Sequence, residues 1–271
     1  MQGDAGYPLN FIRFLGTAGT RFIMLSQRRA SGGIWFSYGG SRGVIDPGPG
    51  SLVGICAAAP PLAATDINTL ILTHKHIDHS SDVNALAEGM TLRSRAKKGN
   101  ILLPRDSASG EDAALMKYFA DRIKNTHFHS DRKITEIVPG MMVESVIHKH
   151  HGVECYGLVF RKDGLPTWGV ISDTMAQPHF PERYAECRML VINTTLPLPV
   201  PRLDHMSAAD VKSLLQVLRP RLAILTHMGG MLLDMGPERL ADRISTNWTR
   251  AVAATDGMTV DIDELPRLIP L

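Results

Sequence analysis

One short run of the sequence, Thr73-His74-Lys75-His76-Ile77-Asp78-His79, constrains the fold more than any other feature. It directly follows the apolar residues 70–72 and places three imidazoles and one carboxylate within six residues. Such groups desolvate and repel one another in a packed core unless cations compensate them. Side chains two residues apart cannot share a helix face, so His74 and His76 must lie on an extended or looped segment. The run therefore predicts a metal-ligand cluster at the end of a strand, with room for two ions.

The composition is that of an ordinary globular protein. The 271 residues are 44% hydrophobic and 21% charged, with a formal net charge of +2, which is too small to imply nucleic-acid or membrane binding by bulk electrostatics. Because no Gly/Ser- or Pro-rich linker divides the chain, we interpret residues 1–271 as one domain. The first residues lack the features of a signal peptide and no apolar run could span a bilayer, so we expect a cytoplasmic protein without membrane contact.

The three cysteines also favour a cytoplasmic protein. Cys56, Cys155 and Cys187 lie far apart and form no CxxC pair. This pattern fits a reducing compartment and argues against both a disulfide framework and a thiolate zinc site. We interpret all three as packing residues.

Short apolar runs alternate with helical patterns along the chain, which predicts a layered α/β fold. Predicted strands cover residues 11–15, 21–25, 33–38, 44–45, 69–73, 101–103, 134–137, 141–148, 155–160, 168–172, 189–192, 222–226, 252–254 and 258–262. Predicted helices cover residues 80–88, 111–124, 207–218 and 237–250. The third helix has the clearest ends, because Ser207 and Asp210 form a capping-box pattern and Pro220 stops the helix.

The tetrapeptide Ile-Leu-Thr-His occurs twice, ending at His74 and at His227. Each copy is an apolar strand that ends on a histidine. Two strands that deliver a histidine from their carboxyl edges would suit a quasi-symmetric metal site between two sheets. Four residues also recur by chance, so internal symmetry and coincidence both stay open here.

Further ligand-type residues stand at strand ends or in the loops that follow strands. These are the group His148-Lys149-His150-His151, then Asp173, His205 and His227. Mixed histidine and carboxylate ligands without thiolate suit Zn²⁺, and also Mn²⁺ or Fe. We expect His127, His129 and His179, which lie in polar or Pro-flanked stretches, to be solvated side chains.

These residues resemble the motifs of the metallo-β-lactamase-fold hydrolases. The resemblance rests on motifs in the order Phe14-Leu15-Gly16-Thr17, Val44-Ile45-Asp46-Pro47-Gly48, His-x-His-x-Asp-His, a mid-chain histidine, Ser172-Asp173-Thr174 and Leu225-Thr226-His227. Within that superfamily the pattern is most similar to the tRNase Z group and its small phosphodiesterase relatives. The resemblance implies a four-layer αββα sandwich, with a dinuclear metal site at the edge between the two sheets.

Carried over to this chain, the resemblance implies seven ligands for two divalent ions, of which Zn²⁺ is the first expectation. They are His74, His76 and His151 for one ion, Asp78, His79 and His227 for the other, and Asp173 as the bridge. His151 is preferred to His148 and His150 because His151-Gly152 is similar to the family's ligand histidine before a turn into a Tyr-Gly strand. We also expect Asp46 to accept a hydrogen bond from a ligand imidazole.

The function that the resemblance implies is hydrolysis of a phosphodiester by a hydroxide that bridges the two metals. Asp78 could also accept a proton from water, and His205 is the candidate for protonating the leaving oxygen or binding a phosphate oxygen. The substrate would be a small phosphodiester, such as a nucleotide, or an RNA-like one. The basic residues 93–98 could guide a polyanion, although such a run is more often a solvated loop.

Two departures from the tRNase Z pattern put pre-tRNA processing in doubt. The chain has no long Gly-Pro-rich insertion that would form the flexible arm of those enzymes, and Ile192-Asn193-Thr194-Thr195-Leu196 replaces a His-Glu-Ala-Thr-like segment. The alternatives are an acyl hydrolase for thioesters or lactones on the same dimetal site and, less favoured, a redox di-iron protein. The resemblance also allows a homodimer.

Overall fold

The computed structural model describes residues 6–92 and 96–267 and contains two seven-stranded sheets. The first sheet consists of β1 (Phe11–Phe14), β2 (Ile34–Tyr38), β3 (Ser41–Ile45), β4 (Thr69–Ile71), β5 (Lys98–Leu103), β6 (Ile123–Phe128) and the late strand β14 (Thr259–Asp261). The second consists of β7 (Ile134–Val138), β8 (Met141–His150), β9 (Val153–Arg161), β10 (Trp168–Ile171), β11 (Met189–Asn193), β12 (Leu222–Thr226) and β13 (Arg250–Ala253).

Ten α-helices accompany the sheets in the described part of the chain. They are α1 (Thr20–Ser26), α2 (Ser51–Cys56), α3 (Ile77–Ser80), α4 (Val83–Thr91), α5 (Arg105–Ala108), α6 (Lys117–Ala120), α7 (Phe180–Arg183), α8 (Ala208–Leu218), α9 (Gly230–Met235) and α10 (Pro237–Ile244). None of these described helices is long and apolar enough to cross a membrane.

Three apolar clusters define the layers. The central one joins the inner faces of both sheets, for example Phe36 of β2 with Phe160 and Trp168 of the second sheet. On the outer faces, α4 packs on the first sheet, and α8 and α10 pack on the second. This is the predicted αββα sandwich, because each sheet buries one face against the other sheet and the opposite face under helices. The shared core supports the interpretation as one domain, which stays a prediction.

The helix predicted to begin at Ser207 has the expected ends. The Ser207 side chain accepts from the Asp210 backbone N–H at 3.1 Å, and the Asp210 carboxylate accepts from the Ser207 N–H at 3.0 Å. This capping box satisfies two backbone donors at the start of α8. The helix ends at Leu218, two residues before Pro220.

Other predicted elements are wrong. The apolar residues 21–25, predicted as a strand, form α1, because a short apolar run has no decisive period. The helix predicted for residues 111–124 is reduced to α6, and the chain then enters β6. Part of the reason is Asn84, whose side chain donates to the Ala114 carbonyl and accepts from the Met116 N–H, both at 2.9 Å, and so holds this segment extended. The helix predicted for residues 237–250 ends at Ile244.

The two sheets share one pairing pattern. From β14 across to β6, and from β7 across to β13, three antiparallel pairs are followed by three parallel pairs. Internal symmetry is therefore present in the backbone. The two Ile-Leu-Thr-His copies are not at equivalent positions in this pattern, because β4 is fifth across the first sheet and β12 is sixth across the second.

Candidate metal centre

The ligand-rich run leaves the end of β4 and turns at once into α3. Asp46, which follows β3, fixes this turn by accepting from the Thr73 N–H at 2.6 Å and from the Thr73 hydroxyl at 2.7 Å. Gly48 allows the neighbouring loop to approach, since a Cβ there would collide with the Asp78 carbonyl oxygen. The tight turn places His74 and His76 before α3, and Asp78 and His79 within it.

The second sheet brings its ligand-type residues from three separate strands. His150 is the last residue of β8, Asp173 lies two residues beyond β10, and His227 directly follows β12. All three come within reach of the first run at one edge of the sandwich. This convergence at the edge between the sheets is where the resemblance places a dinuclear site.

The side chains form two groups of ligand size joined by one carboxylate. Ligand atoms of His74, His76 and His150 lie within 4.8 Å of one another, and so do those of Asp78, His79 and His227. Asp173 lies between the groups, with its Oδ2 3.6 Å from His150 Nε2 and 3.5 Å from His79 Nε2. The geometry thus offers three donors to each of two ions and a carboxylate between them.

The first group contains His150 and not the predicted His151. His150 is buried, with its Nε2 3.1 Å from His76 Nδ1, whereas His151 is exposed on a turn at φ 41°. His151 groups instead with His150 and His205 at the mouth of the site. The strand alternation along β8 could have found this, because buried His148 and His150 flank exposed Lys149, and the predicted strand ended two residues too early.

The hydrogen bonds around the second group direct ring nitrogens toward a cation. His79 Nδ1 donates to the Asp46 carboxylate at 3.0 Å, which leaves Nε2 as the ring nitrogen directed at the centre. His227 Nε2 accepts from the Thr20 backbone N–H at 3.4 Å, so this nitrogen carries the lone pair of the ring. These two nitrogens face each other at 3.2 Å. A metal ion that displaces the proton between them would take both nitrogens as ligands, so this donor set fits a metal ion.

In the first group, a buried ring nitrogen without a hydrogen-bond partner also indicates a metal ligand. His74 is fully buried, and its Nε2 has no hydrogen-bond partner among the described residues. A buried nitrogen without a partner costs free energy, which a metal ion would recover. His150 donates through Nδ1 to the Asp204 carbonyl at 3.0 Å and so keeps Nε2 for the centre.

The protonation states suit metal binding. Burial lowers the pKa of His74 well below its usual range, and it lowers the pKa of His76 and of His150 to about 4. These three rings are therefore neutral at pH 7, which is the form that coordinates metals.

The carboxylates are ionised despite their burial. Burial alone would raise the pKa of Asp78 and of Asp173, but neighbouring histidines, His79 and His227, hold both well below the usual range. Burial alone would lower the pKa of His79, but Asp78 and Asp173 raise it well above its usual range. Buried anions thus face the centre and favour a cation there.

Residues around the ligands hold them in place. Asp46 accepts from the His79 ring, as predicted, and Asn193 donates to Asp173 Oδ1 at 2.7 Å. The Thr195 hydroxyl lies 3.2 Å from His227 Nδ1 and 3.4 Å from His205 Nδ1. Asn193 and Thr195 belong to the segment that departs from the tRNase Z pattern, and their role was not predicted.

Two other buried histidines belong to the scaffold. His148 has both ring nitrogens within 3.0 Å of a partner, the Ser172 and Tyr184 hydroxyls. His129, which we expected to be solvated, is buried, and its Nε2 donates to the Leu72 carbonyl at 3.0 Å. That prediction was wrong because polar neighbours in the sequence do not report the tertiary packing. His127 and His179 are partly exposed.

A cavity of about 1010 Å³ opens directly above the two groups. His76, Asp78, His150, Asp173 and His205 line its floor. The predicted catalytic residue His205 lies with its Nδ1 3.8 Å from Asp173 Oδ2, and burial lowers the pKa of its ring. Of the basic run, residues 93–95 lie outside the described residues, and exposed Lys97 and Lys98 do not line this cavity.

Comparison with known proteins agrees with this fold. The family model of the β-lactamase superfamily domain matches residues 42–228, more than half of the chain. An uncharacterized protein of Methanocaldococcus jannaschii is 26% identical over 264 residues, covering 93% of this chain and 94% of its own. Ribonuclease Z of Archaeoglobus fulgidus is 33% identical over 94 residues, covering 35% of this chain and 29% of its own.

Solved structures show the same fold at low sequence identity. The metallo-β-lactamase fold protein YhfI from Bacillus subtilis has a TM-score of 0.74 at 17% identity, covering 93% of this chain and 99% of its own. A diphosphatase of the PhnP family has a TM-score of 0.68 at 17% identity, covering 93% and 96%. Human tRNase Z, short form, has a TM-score of 0.68 at 14% identity, covering 93% and 99%. With its paired sheets and edge cluster, the chain belongs to the β-lactamase superfamily, a family of metal-dependent hydrolases.

Proposed function

We propose that the protein is a dinuclear metal-dependent phosphodiesterase that acts on a nucleotide or RNA-like phosphodiester. The observation that carries this proposal is the cavity floor, where the two ligand groups, the Asp173 carboxylate and the His205 ring meet in one concave site. With two ions bound, such a floor would combine cations that attract an anion with a side chain suited to proton transfer.

We assign one ion to His74, His76 and His150, in place of the predicted His151, and the other to Asp78, His79 and His227. Asp173 lies between the two groups and would be available to both ions. Zn²⁺ suits this nitrogen- and oxygen-rich set best, with Mn²⁺ or Fe as alternatives. Ions bound here would lower the pKa of water toward about 7 and polarise a phosphoryl oxygen.

The chain itself contributes orientation and proton transfer. Asp78, with its Oδ2 3.5 Å from His227 Nε2, is an ionised carboxylate at the cavity floor and can accept a hydrogen bond from water, although its lowered pKa makes it a weak base. His205 has Nδ1 near Thr195 and Asp173, so its other ring nitrogen is left for a phosphate oxygen or the leaving oxygen. General acid catalysis of this kind contributes roughly 10²- to 10⁴-fold.

Three of the similar proteins support phosphorus as the site of attack, whereas one structural neighbour is an isothiocyanate hydrolase. One curated relative is a ribonuclease, and two of the structural neighbours are a diphosphatase and a tRNase. The acyl-hydrolase alternative stays open, because the same centre could attack a thioester or lactone carbonyl. A homodimer also stays a prediction.

The test is turnover by the metal-loaded protein of bis-p-nitrophenyl phosphate and of nucleotide diesters, with a thioester and a lactone assayed in parallel. The His74→Ala variant is the control for contaminating activity. We expect diester turnover well above this control. Turnover of only the thioester or lactone would replace the proposal with the acyl alternative, and no turnover above the control would refute both.

His205 can be tested separately with two leaving groups. The His205→Ala variant should lose about 10²-fold or more on a diester with an alkoxide leaving group. It should lose much less on bis-p-nitrophenyl phosphate, because p-nitrophenolate leaves without a proton. Equal losses on both diesters would contradict a role as general acid and favour phosphate binding.

A further inference from the structure

The walls of the cavity differ in chemistry from its floor. They come from α1, from the start of α9, from Ile77 and from the loop that contains Leu203. The metal-ligand groups lie on the floor and His151 lies at the mouth, whereas each of these four segments contributes an apolar side chain to the lining. A substrate bound to the floor would therefore have its remaining atoms against apolar surface.

Four of these apolar side chains remain largely open to solvent. Phe22 is 77% exposed, Ile77 63%, Met231 57% and Leu203 43%. Single exposed apolar residues are common, but here four separate segments contribute one each to the same opening. Such an arrangement marks a binding surface, and its concave form suits a small ligand better than a flat protein face.

The charges of the walls limit the ligand further. The cations that line the cavity in the described chain are Arg21 and Arg28, and Arg28 already pairs with Asp234 at 2.6 Å. The Thr195 hydroxyl on the wall is occupied by His227. A polynucleotide backbone is held by a series of cations along its phosphates, and the described residues of this wall do not offer such a series.

From these contacts we infer that the site selects small phosphoryl compounds with a large apolar or aromatic substituent, which packs against Phe22 and Met231 while the phosphoryl group binds the metal centre. This inference rests on the proposed function only in taking the metal centre as the phosphoryl site. It narrows the substrate class from phosphodiesters in general to small amphipathic ones.

The experiment measures binding, so that it does not depend on turnover. Titration calorimetry compares phenylphosphonate with methylphosphonate on the zinc-loaded full chain, because the two probes share the phosphonate and differ in apolar area. Burial of a phenyl ring against two side chains is enough for about a tenfold gain in affinity. We expect phenylphosphonate to bind at least that much more tightly.

The variants locate the preference. Phe22→Ala and Met231→Ala should each reduce the affinity ratio of the two probes severalfold, and the double variant should bring it close to one. Leu25→Ala is the matched control, because Leu25 lies on the same helix and is 75% exposed but does not line the cavity. It should keep the wild-type ratio. Circular dichroism confirms that each variant is folded.

Several outcomes would overturn the inference. Equal affinity for the two probes in the wild type would remove the apolar subsite, even if diester turnover is found. A ratio that Leu25→Ala lowers as much as Phe22→Ala would place the preference elsewhere. If the wild type shows no preference and Phe22→Ala converts a dimer to a monomer in sedimentation, the surface is an interface with a second copy. If the preference is present without diester turnover, only the proposed reaction fails.

Discussion

The two sheets have the same pairing pattern but supply the site in opposite ways. After β4, the first sheet delivers four ligand-type side chains from one continuous segment of six residues. The second sheet delivers one each from the ends of β8, β10 and β12. The first half therefore depends on a local turn, whereas the second depends on the register of three strands. Similar scaffolds can thus carry a compact and a dispersed half of one site.

The equivalent strands β3 and β10 make the contrast sharper. Both are fourth in their sheets, and each is followed closely by an aspartate. Asp46 holds the Thr73 turn and the His79 ring, whereas Asp173 faces both ligand groups directly. At equivalent places, one carboxylate orients ligands and the other is itself a candidate ligand.

Removal of the shared carboxylate should have the largest effect. The Asp173→Ala variant would leave both groups without their common anion, and we expect a loss of at least about 10³-fold in kcat/KM, or roughly 4 kcal/mol of transition-state stabilisation. Metal content measured by mass spectrometry should fall as well. The exposed Asp163→Ala variant is the control. Wild-type metal content and activity in Asp173→Ala would contradict the bridging role.

A smaller but more discriminating effect separates two adjacent histidines. His150→Ala should lose one metal equivalent and about 10²-fold or more in kcat/KM, because a buried donor of the first group disappears. His151→Ala, on the exposed turn, should keep both metal equivalents. The reverse result would restore the predicted assignment to His151 and show that the β8 register does not position the site.

The orienting carboxylate of the first half should matter less than the bridging one. Asp46→Asn removes the anionic acceptor from His79 while keeping its shape, and we expect metal affinity to fall by about 10- to 100-fold. Competition with a chromogenic chelator measures the change, and exposed Asp66→Asn serves as the control. An unchanged affinity would mean that the Thr73 turn alone orients the ligands.

The smallest effect concerns stability, and it tests the buried scaffold histidines. Burial lowers the pKa of His148 and of His129 to about 3, below the unfolded value, so the unfolded chain binds more protons between those pKa values. The metal-free protein should therefore lose stability as the pH falls below about 6.5, by up to roughly 1.4 kcal/mol per pH unit for each such histidine.

Urea unfolding between pH 7.5 and 4.5 measures this dependence. The His148→Gln variant should show a shallower slope than the wild type, since one buried titrating ring is gone. The variant of the exposed histidine, His151→Gln, should keep the wild-type slope. A His148→Gln slope equal to that of the wild type would mean that His148 does not titrate differently on unfolding.

The contrast between the halves also explains what could be predicted from sequence. The run from His74 to His79 is local, so its spacing alone indicated a two-metal cluster after a strand. The strand-end positions of Asp173 and His227 marked them as candidates, but only the resemblance joined them to that run, because they are distant in the sequence. The resemblance favoured His151 over His150, whereas the alternation of buried and exposed residues along β8 places His150 with the first group.

The wall of the cavity was the least predictable part. Residues 21–25 are apolar and short, so their sequence does not distinguish a buried strand from a helix that exposes Phe22 and Leu25. The position of α1 above the centre depends on contacts far along the chain. Asp256, for example, accepts from the Thr17 and Ala30 N–H groups at 2.9 and 2.7 Å. Such contacts have no local signature.

We expect the compact half after β4 and the dispersed half at the ends of β8, β10 and β12 to hold two metal ions together. Anomalous diffraction above the zinc absorption edge, from crystals of the zinc-loaded protein, tests it most directly. We predict two peaks, one among His74, His76 and His150 and one among Asp78, His79 and His227, with Asp173 between them. A single peak, or a peak bound by His151 in place of His150, would contradict the account.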